Sequence, residues 1–335
     1  MPDEIEIQSS GTNNVVQTEP VAVVVVVQKH RLCSIMPIIV FSYIGVLIRI
    51  GLNFLGNIQA PLSASFWSNF VGCFIMGFIV EQKVHIQKHF PQLYVGLTTG
   101  LCGSITTFSG LMYNSCVALF GPSSHVTYPI SNYLAIIISV LSSSFIGFII
   151  GRHISVFILS PLSLLLSSNT ISKVQYLNET VRLWFFPVLI IISIPLLILL
   201  AVLLPIGHYT YFIYSVIFAP FGSLTRYILS IVFNTNANFP LGTLFANVIG
   251  SYIYFGLVTI QEYVYISSSL VTQVIIGIIQ GYCGCLTTVS TFILELDTIK
   301  KRSYIYAYVI ITLLPIQIVY IILGDIFTYI CLPKS

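Results

Sequence analysis

The chain has 335 residues, of which 56% are hydrophobic and only 7% charged, with a net charge of +3 at pH 7. Soluble domains carry about 25% charged residues, so this composition excludes a water-soluble globular protein. Continuous apolar runs such as residues 185–205 are long enough to span a bilayer as helices and lack the alternation of barrel strands. The sequence predicts an all-α, polytopic membrane protein.

The apolar runs predict nine transmembrane helices, preceded by an acidic, polar segment whose composition is typical of disorder. The predicted spans are 34–54, 62–80, 92–119, 130–158, 184–205, 209–233, 240–262, 270–296 and 304–330. The corresponding units are a cytosolic tail (1–33), a first four-helix repeat (34–158), a linker with one transmembrane helix (159–207), a second four-helix repeat (208–330) and a C-terminal tail (331–335).

Basic residues fall in alternate loops, which predicts the orientation by the positive-inside rule. With a cytosolic N-terminus, every basic loop lies in the cytosol and the C-terminus is extracellular. The loops left outside, 120–129, 206–208 and 263–269, contain no Lys or Arg. The basic residues assigned to the cytosol are Lys29, Arg31, Lys83, Lys88, Lys173, Arg182 and the run 300–302.

Three motifs of the first repeat recur in the second. Because a single helix separates the two units, the second copy is expected to be inverted in the membrane. Inverted repeats are typical of transport proteins, whose pathway lies near the repeat interface. The matched segments are GVLIR (45–49) with GSLTR (222–226), ASFWSNFVGC (64–73) with GTLFANVIGS (242–251), and GLCGSITTFSGL (100–111) with GYCGCLTTVSTF (281–292).

Two matched pairs of polar residues lie inside predicted helices. An Arg in lipid is costly, so Arg49 and Arg226 are expected to face an aqueous vestibule or a partner, with snorkelling to headgroups as the alternative. Asn69 and Asn247 are expected to present amide donors to an anion path. A structural hydrogen bond between helices is the alternative for both asparagines.

The glycine-rich segments predict a break in the third helix of each repeat. Glycines and the threonine pairs at 106–107 and 287–288 weaken a helix in mid-membrane. A broken helix leaves backbone groups unpaired, which the bilayer core tolerates only around a cavity or an ion. Two inverted breaks are therefore expected to bring carbonyls together as a site for a small cation. Close helix packing at the glycines is the alternative.

Together, the motifs GxxxR, GTLxxNxxG and GxCGxxTTxSTF resemble those of the Fluc fluoride channels and the eukaryotic fluoride exporters, over residues 40–330. Bacterial members of this family are antiparallel homodimers, and eukaryotic members fuse the two copies through one linker helix. The resemblance implies a passive, selective fluoride channel that is a monomeric pseudo-dimer with a structural sodium ion. By position, the sodium-binding carbonyls belong to Gly103, Thr106, Gly284 and Thr287.

The resemblance also implies a fluoride pathway lined by aromatic, hydroxyl and amide side chains. Hydroxyl and amide groups donate hydrogen bonds, and aromatic edges carry the positive side of the ring quadrupole, so these groups can replace the water of a small anion. Aligning Gly151 with Gly324 adds the fourth helices to this set. The implied pathway residues are Phe108, Phe292, Asn69, Asn247, Ser109, Ser139, Ser143 and Thr312.

The chain departs from the family box TTFSTF differently in each repeat. The first repeat has Phe108 followed by Leu111, and the second has Val289 followed by Phe292. If each pore takes one phenylalanine from each repeat, Phe108 and Phe292 complete one pore. In the fourth helices, Ser143 of the first repeat is matched by an isoleucine in the second. We therefore expect one working and one vestigial pore, with neutral drift in a two-pore protein as the alternative.

Other functions fit the sequence less well. A proton-coupled small-molecule exporter needs a buried acid, but Glu81 and Glu262 fall at predicted helix ends. Glu295 matches a glutamate of the family, while its counterpart is Asn114, and its role stays open. All six histidines lie at helix ends or in loops, which disfavours an enzyme. The expected partners are fluoride and membrane lipid, without nucleic acid, and the expected location is the plasma membrane.

Overall fold

The computed structural model consists of helices and their connections throughout the part of the chain that it describes. The predicted N-terminal tail, residues 1–33, and much of the predicted linker lie outside the described residues. The residues described are 34–58, 63–120, 128–163, 184–203, 210–236, 238–263 and 268–331. Over these ranges no strand is present, in agreement with the predicted all-α class.

The helices fall into two groups on either side of a single helix, α8 (Phe186–Leu203). The first group contains α1 (Ile35–Ile58), α2 (Phe66–Glu81), α3 (Lys83–His89), α4 (Pro91–Val95), a π-helical segment (Gly96–Cys102), α5 (Gly103–Ile105), α6 (Phe108–Phe120) and α7 (Pro129–Ser163). The second contains α9 (Tyr211–Phe233), α10 (Leu241–Tyr263), α11 (Ser269–Ile278), a π-helical segment (Ile279–Cys283), α12 (Gly284–Leu286), α13 (Ser290–Thr298) and α14 (Arg302–Cys331).

Within the described ranges, 7 helical segments are long and apolar enough to cross a membrane. Helix α2 is apolar but has only 16 residues. The predicted span 92–119 is divided into several short elements instead of one continuous helix. The protein is therefore a multi-pass membrane protein, as its composition predicts.

The third helix of each repeat is interrupted at the same place. In both, a π-helical segment leads into a three-residue helix, after which Thr106 and Thr287 adopt extended backbone with ψ of 151° and 149°. Helical structure resumes at Phe108 and at Ser290. A π-helical segment already lacks the regular α-helical bonding pattern and frequently marks functional sites. The breaks thus occur at the threonine pairs, while Gly100 and Gly281 lie in the π-helical segments and Gly103 and Gly284 begin the three-residue helices.

The two repeats share one apolar core, to which α2, α6, α7, α10, α13 and α14 all contribute. Its largest fully buried side chains include Phe108 and Met112 of the first repeat and Phe292 and Tyr308 of the second. Helix α8 packs against α1 through Phe41 and Phe186, whose ring centroids are 6.2 Å apart, and is otherwise mostly exposed. An apolar helix exposed on most sides is typical of a membrane span that faces lipid.

Candidate functional site at the two helix breaks

Each break is held by an asparagine from the second helix of its own repeat. The Asn69 amide donates to the Thr107 carbonyl at 3.2 Å, and its oxygen accepts from the Thr107 N–H at 2.9 Å. Asn247 pairs with Thr288 in the same way, at 3.2 and 2.8 Å. Both amides therefore make the structural hydrogen bond that the sequence left as an alternative. One N–H of each amide is free of this pairing, since the amide carries two.

The helices that follow the breaks are capped by the opposite repeat. The Thr287 hydroxyl accepts from the N–H groups of Phe108 and Ser109, both at 3.2 Å, at the start of α6. The Thr106 hydroxyl accepts from the Ser290 N–H at 3.2 Å, at the start of α13. An accepting side-chain oxygen satisfies an N–H that a helix start otherwise leaves unpaired. Each repeat therefore completes the other's broken helix.

Arg49 and Arg226 cross between the repeats in the same reciprocal manner. Arg49 donates to the Gln280 carbonyl of the second repeat, and Arg226 donates to the Thr99 carbonyl of the first at 2.6 Å. Both side chains are buried, at 0% and 3% exposure, so the expectation that they face an aqueous vestibule is wrong for this structure. The physical reason is that a guanidinium has five donors, and the carbonyls near the breaks supply acceptors. The expected alternative, a protein partner, is what both arginines have.

Glycines let the guanidinium groups approach this closely. Arg226 also donates to the Gly103 carbonyl at 2.9 Å, and Arg49 donates to the Ser104 carbonyl at 2.8 Å. A methyl group on Gly103 would collide with the Arg226 guanidinium, and one on Gly284 would lie 2.5 Å from Arg49 Nη2. Both collisions are with charged groups in fixed hydrogen bonds, so an alanine at either position displaces them.

Two of the four residues expected to hold sodium, Thr106 and Thr287, contact the opposite break through their hydroxyls. The Thr106 hydroxyl lies 3.1 Å from that of Thr288, and the Thr107 hydroxyl 3.4 Å from that of Thr287. The helix breaks thus oppose each other, and neutral oxygens are the ligands that hard cations prefer. The bond from Arg226 uses one lone pair of the Gly103 carbonyl and leaves the second. The donor set at the two breaks therefore fits a small cation.

Phe108 and Phe292, from opposite repeats, are in contact beside the breaks. Their ring centroids are 5.5 Å apart and their planes are inclined at 68°, an edge-to-face arrangement. The Phe292 ring also contacts Tyr308, with centroids 5.3 Å apart. In an edge-to-face pair the electropositive edge of one ring meets the face of the other, and the ring edges outside this contact are the parts suited to an anion. The sequence predicted that these two phenylalanines complete one site, and the structure brings them together.

A carboxylate cluster adjoins the aromatic pair, one turn further along α13. The Glu295 carboxylate accepts from the Thr243 hydroxyl at 2.5 Å and from the Tyr308 hydroxyl at 2.7 Å, and the Asn234 amide lies at 3.4 Å. The sequence left the role of Glu295 open, because its partners lie on α10, on α14 and at Asn234, which directly follows α9. The sequence feature that could have indicated a polar cluster here is the acidic residue one helical turn after Phe292.

The fourth helices do not match the prediction. Thr312 of α14 is fully buried one turn beyond Tyr308, whose carbonyl its hydroxyl contacts at 2.7 Å. Ser139 of α7 is exposed, and Ser143 is half-buried, and each donates to its own helix. The predicted hydroxyl track of the first repeat is therefore wrong. The inward face of α7 is set by Val140, Ser144 and Phe148, which share one side of the helix and are fully buried.

Two copies of one family model match the chain. The CrcB-like protein family, described as Camphor Resistance (CrcB), matches residues 36–152 and again residues 213–325. The chain belongs to the CrcB family. The resemblance stated from the motifs is thereby confirmed, including the presence of two family copies in one chain.

Relatives of this CrcB chain occur in fungi and bacteria. Fluoride export protein 1 of Candida albicans is 30% identical over 292 residues, 78% of this chain and 72% of the relative. Fluoride export protein 1 of Neurospora crassa is 29% identical over 340 residues, 82% of this chain and 63% of the relative. Fluoride-specific ion channel FluC 1 of Staphylococcus epidermidis is 33% identical over 118 residues, 35% of this chain and 96% of the relative. No solved structure matches the chain significantly.

The positions matched to the aromatic pair differ in character. We call Phe108 and Phe292 the aromatic pair, and Leu111 and Val289, at the matched positions, the aliphatic pair. Both aliphatic side chains are fully buried. Asn114, matched to Glu295, donates only to the Ser63 hydroxyl, at 3.1 Å, among the contacts found for its side chain. The two CrcB copies therefore share the arginine, asparagine and threonine contacts, while the aromatic pair and the carboxylate occur on one side.

Ionic and hydroxyl contacts join the repeats near the helix ends. Arg152 of α7 pairs at 3.0 Å with Glu81 of its own repeat and at 3.0 Å with Asp297 of the other. At another place, the Tyr113 hydroxyl donates to Glu262 at 2.7 Å. Exposed ion pairs contribute little stability, so these contacts serve mainly to fix the relative position of the repeats.

Proposed function

We propose that this CrcB protein is a passive, highly selective fluoride channel that exports cytosolic fluoride across the plasma membrane. The observation that carries the proposal is the edge-to-face contact of Phe108 and Phe292 between two copies of the family, beside the paired breaks. The names of the fungal and bacterial relatives indicate fluoride as the ion. Because the family is one of transport proteins, we assign no enzymatic activity to the chain.

The proposed topology has nine spans, with the second repeat inverted, the N-terminus in the cytosol and the C-terminus outside. This topology is supported by contacts between the repeats, because each of them joins helix ends that the topology places on the same side of the membrane. Arg152, Glu81 and Asp297 all fall at cytosolic helix ends in this topology, and Tyr113 and Glu262 both fall towards the outside. Reciprocal crossing of Arg49 and Arg226 is also what a pseudo-twofold relation requires. The fused pair acts as a monomer in contact with lipid.

Fluoride follows the aromatic pair in this proposal. It enters from the cytosolic side near the Glu295 cluster, passes the ring edges of Phe292 and Phe108, and continues along α14 past Thr312. Ring edges and hydroxyl donors replace the water of the ion. Chloride is larger, and a narrow passage of this kind does not compensate its dehydration. The second, vestigial passage is the one lined by the aliphatic pair.

The direction of transport needs no coupling to another ion. Hydrogen fluoride enters cells uncharged and dissociates in the cytosol. A membrane potential of about 100 mV, negative inside, drives each anion outward with about 2.3 kcal/mol. The proposed channel therefore only has to provide a passage.

Sodium bound between Gly103, Thr106, Gly284 and Thr287 is the second part of the proposal. When bound, the ion would neutralise facing carbonyl dipoles and hold the breaks together. The support is the opposition of the breaks through the hydroxyl contacts of 3.1 and 3.4 Å. Thermal unfolding of the purified protein tests it: replacing sodium by N-methylglucamine should lower the melting temperature, and lithium should restore less than sodium. Equal melting temperatures in all three cations would contradict the proposal.

Efflux from liposomes tests the function. Purified protein is reconstituted with fluoride or chloride inside, and valinomycin sets the membrane potential while an electrode follows the released anion. We expect fast fluoride efflux without chloride efflux. Efflux should also be measured with and without a proton gradient, because a proton-coupled exporter would use a carboxyl such as that of Glu295. Transport that occurs only with a proton gradient would favour that exporter and exclude the channel.

A further inference from the structure

Two buried polar atoms lie on the far side of the aromatic pair from Glu295 without a partner among the described residues. They are the side-chain carbonyl oxygen of Gln317 and the hydroxyl oxygen of Ser251. Gln317 is 4% exposed, and Ser251 is fully buried. A buried polar group with no partner is expensive, so each of these oxygens indicates a polar ligand or water that the protein itself does not supply.

These atoms belong to the same route as the aromatic pair. The Gln317 amide nitrogen contacts the Ser115 hydroxyl at 2.9 Å and the Met112 carbonyl at 3.4 Å. Met112 lies one turn beyond Phe108 on α6, about 6 Å further along the helix axis. Ser251 adjoins the same stretch of α14, because the Tyr320 hydroxyl, one turn beyond Gln317, donates to the Ser251 carbonyl at 2.5 Å. We call Gln317, Ser251 and Ser115 the outer polar station.

The orientation of the Gln317 amide follows from its neighbours. The Met112 carbonyl can only accept a hydrogen bond, so the amide nitrogen must be the atom that faces it. The carbonyl oxygen of Gln317 therefore points away from α6. An oxygen acceptor cannot bind an anion directly, but it can hold a water molecule whose second hydrogen points to the anion.

The station lies next to a position at which the expected hydroxyl is missing. In the alignment of the fourth helices, Ile316 stands where the first repeat has a serine, and it is fully buried one turn beyond Thr312. Gln317 is the adjacent residue. Its match in the first repeat, Ser144, already donates to the Val140 carbonyl at 2.6 Å and has no unpaired oxygen. The station therefore exists on the side of the aromatic pair alone.

We propose that the outer polar station binds a partly hydrated fluoride ion after it has passed the aromatic pair. The Ser251 hydroxyl donates to the ion, and the Gln317 carbonyl accepts from the water that accompanies it. Gln317 thereby supplies a polar contact that the adjacent apolar Ile316 cannot supply. The station rests on the proposed fluoride pathway and adds the place at which the ion regains its water.

Fluoride efflux from liposomes tests the station with Gln317→Met, which keeps the length of the side chain, and with Ser251→Ala, which removes one atom. Each variant should reduce the efflux rate roughly tenfold, the effect of one lost hydrogen bond to an ion. Ser144→Ala is the matched control and should keep the wild-type rate. Ser251→Ala also keeps the test valid if Gln317→Met fails to fold.

Rescue separates a transport role from packing damage. Adding Ile316→Thr to Gln317→Met restores a hydroxyl one turn beyond Thr312 and should recover most of the rate. Absence of recovery overturns the assignment of Gln317 as the replacement. If the wild-type protein transports fluoride and both single variants transport it at the same rate, the outer polar station is overturned. The proposed function is then unaffected. A wild-type protein that moves no fluoride overturns both.

Discussion

The aromatic pair and the aliphatic pair occupy matched positions in two copies of one family, yet their surroundings have diverged. Phe108 and Phe292 adjoin Tyr308 and the Glu295 cluster, whereas Leu111 and Val289 have Asn114 in place of that carboxylate. The asparagine contacts at the breaks, and the contacts of Arg49 with Gln280 and of Arg226 with Thr99, occur in both halves. The comparison indicates that the scaffold must remain two-fold, because each half completes the other, while a passage needs to be kept only once.

Substitution of the aromatic pair should give the largest difference between the two sides. Phe108→Ile or Phe292→Ile removes an aromatic edge from the route and should reduce fluoride efflux at least about a hundredfold, as expected when a pore loses its main contact with the ion. Val289→Ile and Leu111→Ile change only the volume of the aliphatic pair and should leave efflux nearly unchanged. Liposome efflux measures all four. Equal losses in both sets would mean that both passages conduct.

Removal of the carboxylate should have the next largest effect. Glu295→Gln keeps the shape but leaves one oxygen instead of two to accept from the hydroxyls of Thr243 and Tyr308, and we expect roughly tenfold slower efflux. Asn114→Ala, at the matched position, should be silent in the same assay. If Asn114→Ala slows efflux as much as Glu295→Gln does, the asymmetry of the two sides is not functional.

Glycine substitutions should affect both halves alike. Gly103→Ala and Gly284→Ala place a methyl group against a guanidinium, and each should destabilise the protein by about 2 kcal/mol, a usual cost of overpacking. Thermal unfolding in detergent measures the loss. Gly256→Ala is the control, because a methyl group there meets nothing within 4 Å. A loss confined to one of the two breaks would show that the scaffold is also asymmetric.

The smallest expected effect comes from the caps. Thr287→Val removes the acceptor for two N–H groups at the start of α6, and Thr106→Val removes the acceptor for one at the start of α13. Loss of a helix cap typically costs about 1 kcal/mol. Because Thr287 accepts from two N–H groups and Thr106 from one, Thr287→Val should lower the melting temperature slightly more than Thr106→Val. Thr225→Val serves as control, since its exposed hydroxyl donates only to its own helix. Thermal unfolding measures the effect, and identical melting temperatures for all three variants would argue against capping between the repeats.

Much of the fold could be predicted because it depends on local composition. Apolar length gives the long helices, as at α9, where 209–233 was expected and Tyr211–Phe233 is found. The breaks were also predictable, since glycines and paired threonines weaken a helix wherever it packs. The contact of Phe108 with Phe292 could be predicted only because each repeat keeps a different one of the two phenylalanines of the same motif.

The helix faces could not be predicted in the same way. A membrane helix such as α7 is apolar on every side, so its sequence does not show which side meets the protein. Ser139 was placed inward by alignment, but the buried residues of α7 are those that meet α2 and α6. Arg49, Glu295 and Gln317 were missed or misplaced for a related reason. Their partners lie in the other repeat or on other helices, and no spacing within one segment reports them.

The reciprocal arginine contacts have a consequence for how the protein is made. Arg49 and its acceptor Gln280 are 231 residues apart, so the acceptor does not exist when the first repeat leaves the ribosome. The newly inserted half therefore holds a cation in the membrane without its final partner, which is a costly state. The contact of Arg49 with Gln280 can therefore form only after the second half has been made. Until the second half is inserted, we expect the first half to need a membrane chaperone that shields its unpaired arginine from lipid.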